Sequence, residues 1–207
     1  MEIEEQILKK VHPSTLIAGV DEVGRGALFG PVVAAAIILP ASQVTELNEI
    51  AAKDSKKVSP KRRTEYAELI KAMVTDAQIG AAQASEIDEI NILQASLRAM
   101  QRSVQKLTPP PMICLVDGRF ALPDLHNIQQ VNLKQGDARS RLIAAASIVA
   151  KVHRDNLIIR DWAEKYPQYH LAQNKGYGTA AHRSALEKYG PSPQHRRSFR
   201  PCRLATF

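Results

Sequence analysis

Asp21 and Glu22 stand side by side where the short apolar run of residues 15–20 ends, and Gly24, Gly26 and Gly30 follow them. Two like charges held that close repel, so the pair needs an offset: a bound cation, a protonated carboxyl, or a neighbouring guanidinium such as Arg25. On a regular strand the two side chains point to opposite faces, and glycines directly after them can break the alternation and turn both toward one site. Further carboxylates occupy comparable positions. Asp117 follows the apolar run 113–116 and precedes Gly118, while Asp137 follows Gly136 ahead of an Ala-rich stretch. Four carboxylates without a Cys or His cluster make an oxygen-rich donor set, which suits Mg²⁺ or Mn²⁺ and not zinc. Each acid also has a plainer reading: a solvated surface doublet for Asp21 and Glu22, a turn carboxylate for Asp117, an N-cap for Asp137.

The spacing Gly24-x-Gly26 after a strand also suggests a dinucleotide-binding loop, and two features argue against it. Pyrophosphate would meet Asp21 and Glu22 at the loop mouth. The loop also leads into Pro31 and a β-rich run, where a phosphate-binding helix N-terminus should begin.

These acids must be positioned by strands and helices. Residues 15–20 and 31–39, the latter rich in Val and Ile, read as strands joined by an early hairpin. Ser59 and Pro60 supply a cap and first-turn proline for a helix to about Met73, with Tyr66, Leu69, Ile70 and Met73 on one stripe. Residues 77–82 read as a weaker strand. Ser85 is a candidate cap for a longer helix through Leu107, where Ile90, Leu93, Leu97, Met100 and Val104 recur at intervals of three and four. The triple proline at 109–111 reads as a helix-to-strand connector in preference to an interdomain linker. Strands follow at 112–116 and 128–133, then an Ala-rich helix from 138 to about 162 that can press closely on a sheet. A last helix over 179–189 stops at Gly190-Pro191 and leaves a basic tail over 195–203. The order indicates an α/β domain, a mixed sheet with helices on its faces.

Composition bounds the rest. The chain has 207 residues, 44% hydrophobic and 24% charged, a globular profile. Its longest uncharged apolar run, 31–41, is too short to span a bilayer. The acidic start Met1-Glu2-Ile3-Glu4-Glu5 does not resemble a secretory signal, so the cytoplasm is the expected location, with no membrane partner. Cys114, inside an apolar stretch, reads as a buried thiol. Net charge is +7, and the basic excess lies beyond Pro110. That asymmetry suits a polyanionic partner as well as a merely solvated basic face.

Taken in order, the motifs resemble those of bacterial ribonuclease HII, the type 2 ribonuclease H family that cuts the RNA strand of RNA/DNA hybrids. They are Asp21-Glu22-Val23-Gly24-Arg25-Gly26, Asp54-Ser55-Lys56-Lys57, Val116-Asp117-Gly118, 144–151, Lys175-Gly176-Tyr177-Gly178-Thr179, and Gly190-Pro191-Ser192-Pro193 through His195-Arg196-Arg197-Ser198-Phe199. The resemblance implies one ribonuclease H-like domain over 1–207, a mixed β-sheet flanked by helices, with a helical, basic substrate-binding segment from about 165. It implies four acidic catalytic and metal-binding residues, Asp21, Glu22, Asp117 and Asp137, with Asp155 a rival for the fourth place. It also implies that Gly24, Arg25 and Gly26 touch the ribonucleotide 2′-OH through the backbone, and that Tyr177 stacks on the sugar of the following deoxynucleotide. Lys56, Lys57, Arg183, Arg196 and Arg197 are candidate phosphate contacts, each equally a plain surface charge.

The expected chemistry is hydrolysis with two divalent ions, Mg²⁺ or Mn²⁺, about 3.5–4 Å apart, giving 3′-OH and 5′-phosphate ends. Expected substrates are RNA/DNA hybrids and duplex DNA with single embedded ribonucleotides, nicked on the 5′ side. A monomer is expected. The competing readings are a non-catalytic nucleic-acid binder and an acidic-site nuclease specific for DNA.

Overall fold

The computed structural model describes residues 2–48 and 59–205. Lys56 and Lys57 lie outside the described residues. Five strands form one mixed sheet: β1 (Leu16–Val23), β2 (Val32–Pro40), β3 (Asp76–Ala82), β4 (Ile113–Asp117) and β5 (Gln129–Leu133), in the order β3-β2-β1-β4-β5. The β1–β2 and β2–β3 pairs are antiparallel, and β4 lies parallel to both β1 and β5. Helices cover both faces, which is why β2 is a continuous apolar run instead of an alternating one. Its Ala35, Ile37 and Leu39 feed one core and its Ala34, Ala36 and Ile38 the other.

The first core is closed by α1 (Glu2–Leu8), α2 (Pro60–Met73) and α4 (Arg141–Ile158), the second by α3 (Ala84–Gln105). Ser59 caps α2 as expected, its Oγ accepting from the Arg62 N–H. Ser85 does not cap α3, which begins one residue earlier after Gln83. The helix is interrupted at Asn91, at φ +67°, whose Oδ1 accepts from the Leu93 and Gln94 N–H groups and so restarts it as an internal cap. The apolar spacing alone conceals this break, because the stripe continues across it.

The Ala-rich helix starts at Arg141 and not at 138, since Gly136–Ala138 forms a separate 3₁₀ turn and Ser140 is the cap, accepting from the Ile143 N–H. It ends at Ile158 and continues as a π-helical turn, Ile159–Ala163. The acidic N-terminus has a structural use. Glu4 on α1 is buried, accepts from Ser140 Oγ at 2.7 Å and from the Leu142 N–H, and pairs with Arg141 Nη1 at 2.9 Å. A carboxylate is thereby placed on the positive end of α4.

The triple proline is a connector. Beyond it the Met112 N–H donates to the Leu16 carbonyl, within the same sheet. Cys114 is buried, and burial pushes its thiol up to about 12. A third, smaller core joins residues 28–29 to the C-terminal region: Leu28, Phe29, Ile158, Tyr169, Leu171, Leu186 and Cys202. That region contains α5 (Leu171–Asn174), α6 (Ala180–Tyr189, with Thr179 as its cap and not its first residue) and α7 (Arg200–Leu204).

Candidate active site

The acids gather where β1 outruns β4. The β1–β2 ladder stays regular to Val23, pairing Asp21 with Ala35 and Glu22 with Ala34. Glycines therefore do not turn the pair, contrary to the expectation from the sequence. Instead Asp117, the last residue of β4, stands beside β1 at the rim, where side chains of opposite faces can meet. Carboxylate oxygens of Asp21, Glu22 and Asp117 all lie within 4.8 Å of one another. Asp137 lines the same cleft, of about 500 Å³, together with Ser147 and Lys151 of α4, Arg63 and Tyr177. Asp155, its rival, is held by Lys151 at 2.8 Å and does not line this cleft.

Backbone geometry brings the fourth acid in. Gln135 adopts a left-handed conformation, φ +55°, and the Gly136 N–H donates to Asp117 Oδ1 at 2.6 Å. A Cβ on Gly136 would sit 2.5 Å from Ile143 Cδ1 and 3.0 Å from that oxygen, so a larger residue there would have to displace the end of the Ile143 side chain. The carboxyl groups hold protons more tightly than free ones. Burial pushes Asp21 well up, with Glu22 and Asp117 adding to it. Burial likewise raises Glu22, opposed by Arg25 3.2 Å away, and raises Asp117, opposed by the Gly136 N–H. Clustered, desolvated carboxylates of this kind are stabilised by a divalent cation, and the donor set is all oxygen, as Mg²⁺ and Mn²⁺ require.

The glycine loop is fixed by two buried arginines. Gly24 has φ +86°, and a Cβ there would fall 2.1 Å from Arg154 Nε. Arg154 donates to the carbonyls of Phe29, Pro31 and Lys175. Arg196 donates to those of Arg25 and Gly30. Both side chains are fully buried. Arg196 is thus withdrawn from the phosphate-contact candidates, because its guanidinium is buried and its Nε and Nη1 donate to main-chain carbonyls. Residues 27–30 also bond to Gly176, Gln194 and Arg196 main-chain atoms, which leaves Arg25 and Gly26 exposed at the tip.

Tyr177 is half-buried at the cleft wall, with Lys151 Nζ 5.2 Å and Arg154 Cζ 5.4 Å from its ring centre. Arg183 and Arg197 are exposed outside the cleft walls. The main chain of Arg197 and Ser198 is anchored by Asp88 of α3. On the far side of Glu22 and Asp117 a second cleft, about 410 Å³, has Leu93, Leu97 and Met100 in its wall and Arg119 and exposed Phe120 at its rim. Sequence reasoning missed Phe120, Lys151 and Ser147. The last two lie four residues apart on α4, a spacing that puts both on one helix face.

The family model for ribonuclease HII matches residues 18–202. This chain belongs to the ribonuclease HII family. It is 58% identical over 192 residues to ribonuclease HII of Trichormus variabilis, covering 93% of this chain and 84% of that one. It is 50% identical to that of Alkaliphilus metalliredigens, covering 96% of each. Ribonuclease H2 of Pyrococcus horikoshii superposes with a TM-score of 0.76 at 27% identity, covering 92% of this chain and 97% of that one. Bst-RNase HIII in complex with Mn²⁺ shares the fold, with a TM-score of 0.69 over 96% of this chain and 71% of that one, at 18% identity. The protein is a ribonuclease H-type endonuclease with the mixed sheet and flanking helices of that fold.

Proposed function

We propose that this endonuclease cuts RNA/DNA hybrids and nicks duplex DNA on the 5′ side of single ribonucleotides, with Asp21, Glu22, Asp117 and Asp137 holding two divalent ions. The observation that carries the metal reading is the convergence of three carboxylates from two strands within 4.8 Å, with Asp137 at the same cleft. Bound Mg²⁺ or Mn²⁺ supplies Lewis acidity and a water deprotonated near neutral pH. The chain's own residues bring the phosphodiester there and choose it. Lys151 and Arg63, on the cleft wall, offset the charge of the approaching phosphate. Arg183 and Arg197, on exposed surfaces, are placed to meet the backbone of a longer duplex.

Selection of ribose falls to the loop tip. Arg25 and Gly26 are exposed while the residues on either side are buried and bonded, so main-chain groups are presented rigidly to a 2′-OH. Tyr177 faces the same cleft and stacks on the sugar of the nucleotide that follows. The protein acts as a monomer in the cytoplasm; among the described residues no helix is long and apolar enough to cross a membrane.

A duplex with one ribonucleotide, incubated with Mg²⁺ and separately with Mn²⁺, should be nicked 5′ of that residue, leaving 3′-OH and 5′-phosphate ends. An all-DNA control should stay intact. Absence of cutting with both metals would defeat the reading, and equal cutting of the control would favour a DNA nuclease.

A further inference from the structure

His182 and His195 lie behind Tyr177, and the reaction as described uses neither. His182 sits in the first turn of α6 and His195 in the segment beyond Gly190. Both are buried, and their Nε2 atoms are 3.0 Å apart. Their surroundings fix the protons. The Ser192 N–H points at His195 Nδ1 at 3.0 Å, so that nitrogen is an acceptor and the His195 proton is on Nε2. His182 Nε2 must then accept, which places the His182 proton on Nδ1, 3.0 Å from the Tyr177 carbonyl oxygen. Hydrogen bonds therefore run one way, from Ser192 through His195 and His182 to Tyr177, and the sequence of donors holds only while both rings are neutral. Burial and the adjacent His182 keep His195 down at about 3, and burial lowers His182 as well.

The same two segments grip the ribose-sensing loop. Ala27 pairs with Tyr177 and Phe29 with His195 in isolated antiparallel bridges, and the Phe29 and His195 ring centres are 4.9 Å apart. We propose that His182 and His195 are positioning residues for substrate selection: the neutral pair sets Tyr177 against the loop and thereby favours a ribonucleotide followed by a deoxynucleotide. This rests on the reading of Tyr177 given above. Misplacement of a substrate-touching group by about 1 Å costs on the order of 10²-fold in rate, so a loosened Tyr177 carbonyl is expected to be measurable.

The experiment compares kcat/KM on two duplexes of one sequence, one with a single embedded ribonucleotide and one with an all-RNA strand. His182→Leu should lower the ratio between them by about tenfold or more, within the range that misplacement produces. His182→Asn, whose side-chain N–H can replace the Nδ1 donor, should restore most of it. In a Tyr177→Ala background, His182→Leu should leave the ratio unchanged, because the two act through one contact. Equal losses on both duplexes, or independent effects in the double variant, would overturn the proposal and leave the pair a purely structural role. Imidazole ¹⁵N shifts of the unmodified protein at pH 7 keep the test decisive even if His182→Leu does not fold. They should show His182 protonated on Nδ1 and His195 on Nε2, and the opposite tautomers or a charged ring would refute the chain. Failure of the unmodified enzyme to cut either duplex would instead refute the ribonucleotide reading, and a Tyr177→Ala ratio equal to the unmodified one would remove the stacking role.

Discussion

Asp21 is the residue on which the acidic site turns: it is buried, flanked by Glu22 and Asp117, and carries the most strongly raised affinity for protons of the three. Asp21→Asn keeps the shape and removes the charge, so cleavage should fall by roughly 10³-fold or more while duplex binding persists, the pattern of a lost transition-state group. A gel-shift assay beside the cleavage assay reads both. Asp155→Asn, by contrast, should leave activity within a few-fold, since its partner is Lys151 and it stands outside the cleft. A large loss for Asp155→Asn with only a few-fold loss for Asp137→Asn would reverse the assignment of the fourth acid. The acids were legible because strand ends and glycine turns leave local signatures. Arg196 was not, since an arginine in a basic tail gives no local sign of burial. Arg154 did leave one: Ala146, Ala150, Arg154 and Ile158 recur every four residues on a face that is entirely buried, so a charge stands inside an apolar stripe.

Among the elements, α4 carries Ser147 and Lys151 to the cleft, and its start is held by a residue far away in sequence. Glu4 accepts from Ser140, Arg141 and Leu142, with nearly all of its surface and that of Arg141 buried. Among the described residues, Glu4→Ala would leave Arg141 with Glu5 and Asn48 as side-chain partners, and breaking a buried pair costs about 3–5 kcal/mol. Urea denaturation should show that loss, together with weaker metal-dependent cleavage as Ser147 and Lys151 shift. Full stability in the variant would mean that the helix start is held by Ser140 alone. Local signals located the cap at Ser59 and the stop at Gly190, because a cap depends on residues within one turn. The start of α4 and the break at Asn91 were hidden, the first because a separate 3₁₀ turn, Gly136–Ala138, precedes the Ser140 cap, the second because the apolar period runs through it.

For the molecule as a whole, pH acts through the buried histidines. His195 is held at about 3 in the fold against an ordinary 6.5, so between those values the unfolded chain binds a proton that the folded chain excludes. Stability should therefore be complete above about 6.5 and fall as pH drops toward 3. The unmodified protein should lose more of its urea midpoint between pH 7 and pH 5 than His195→Gln does, both sharing the same carboxylates. Parallel losses would place the acid sensitivity elsewhere. The mixed sheet with helices on both faces was foreseeable from continuous apolar strands and amphipathic helices, whereas the strand order β3-β2-β1-β4-β5 was not, because apolar periodicity does not say which strands are neighbours. The clasp of the glycine loop by Arg154, Gly176, Tyr177, His195 and Arg196 was not, because it joins segments about 125–171 positions apart. That clasp has a consequence for synthesis. Its components emerge from the ribosome long after the first three acids, so a growing chain can collect those carboxylates early and yet fix the glycine loop beside them only near completion.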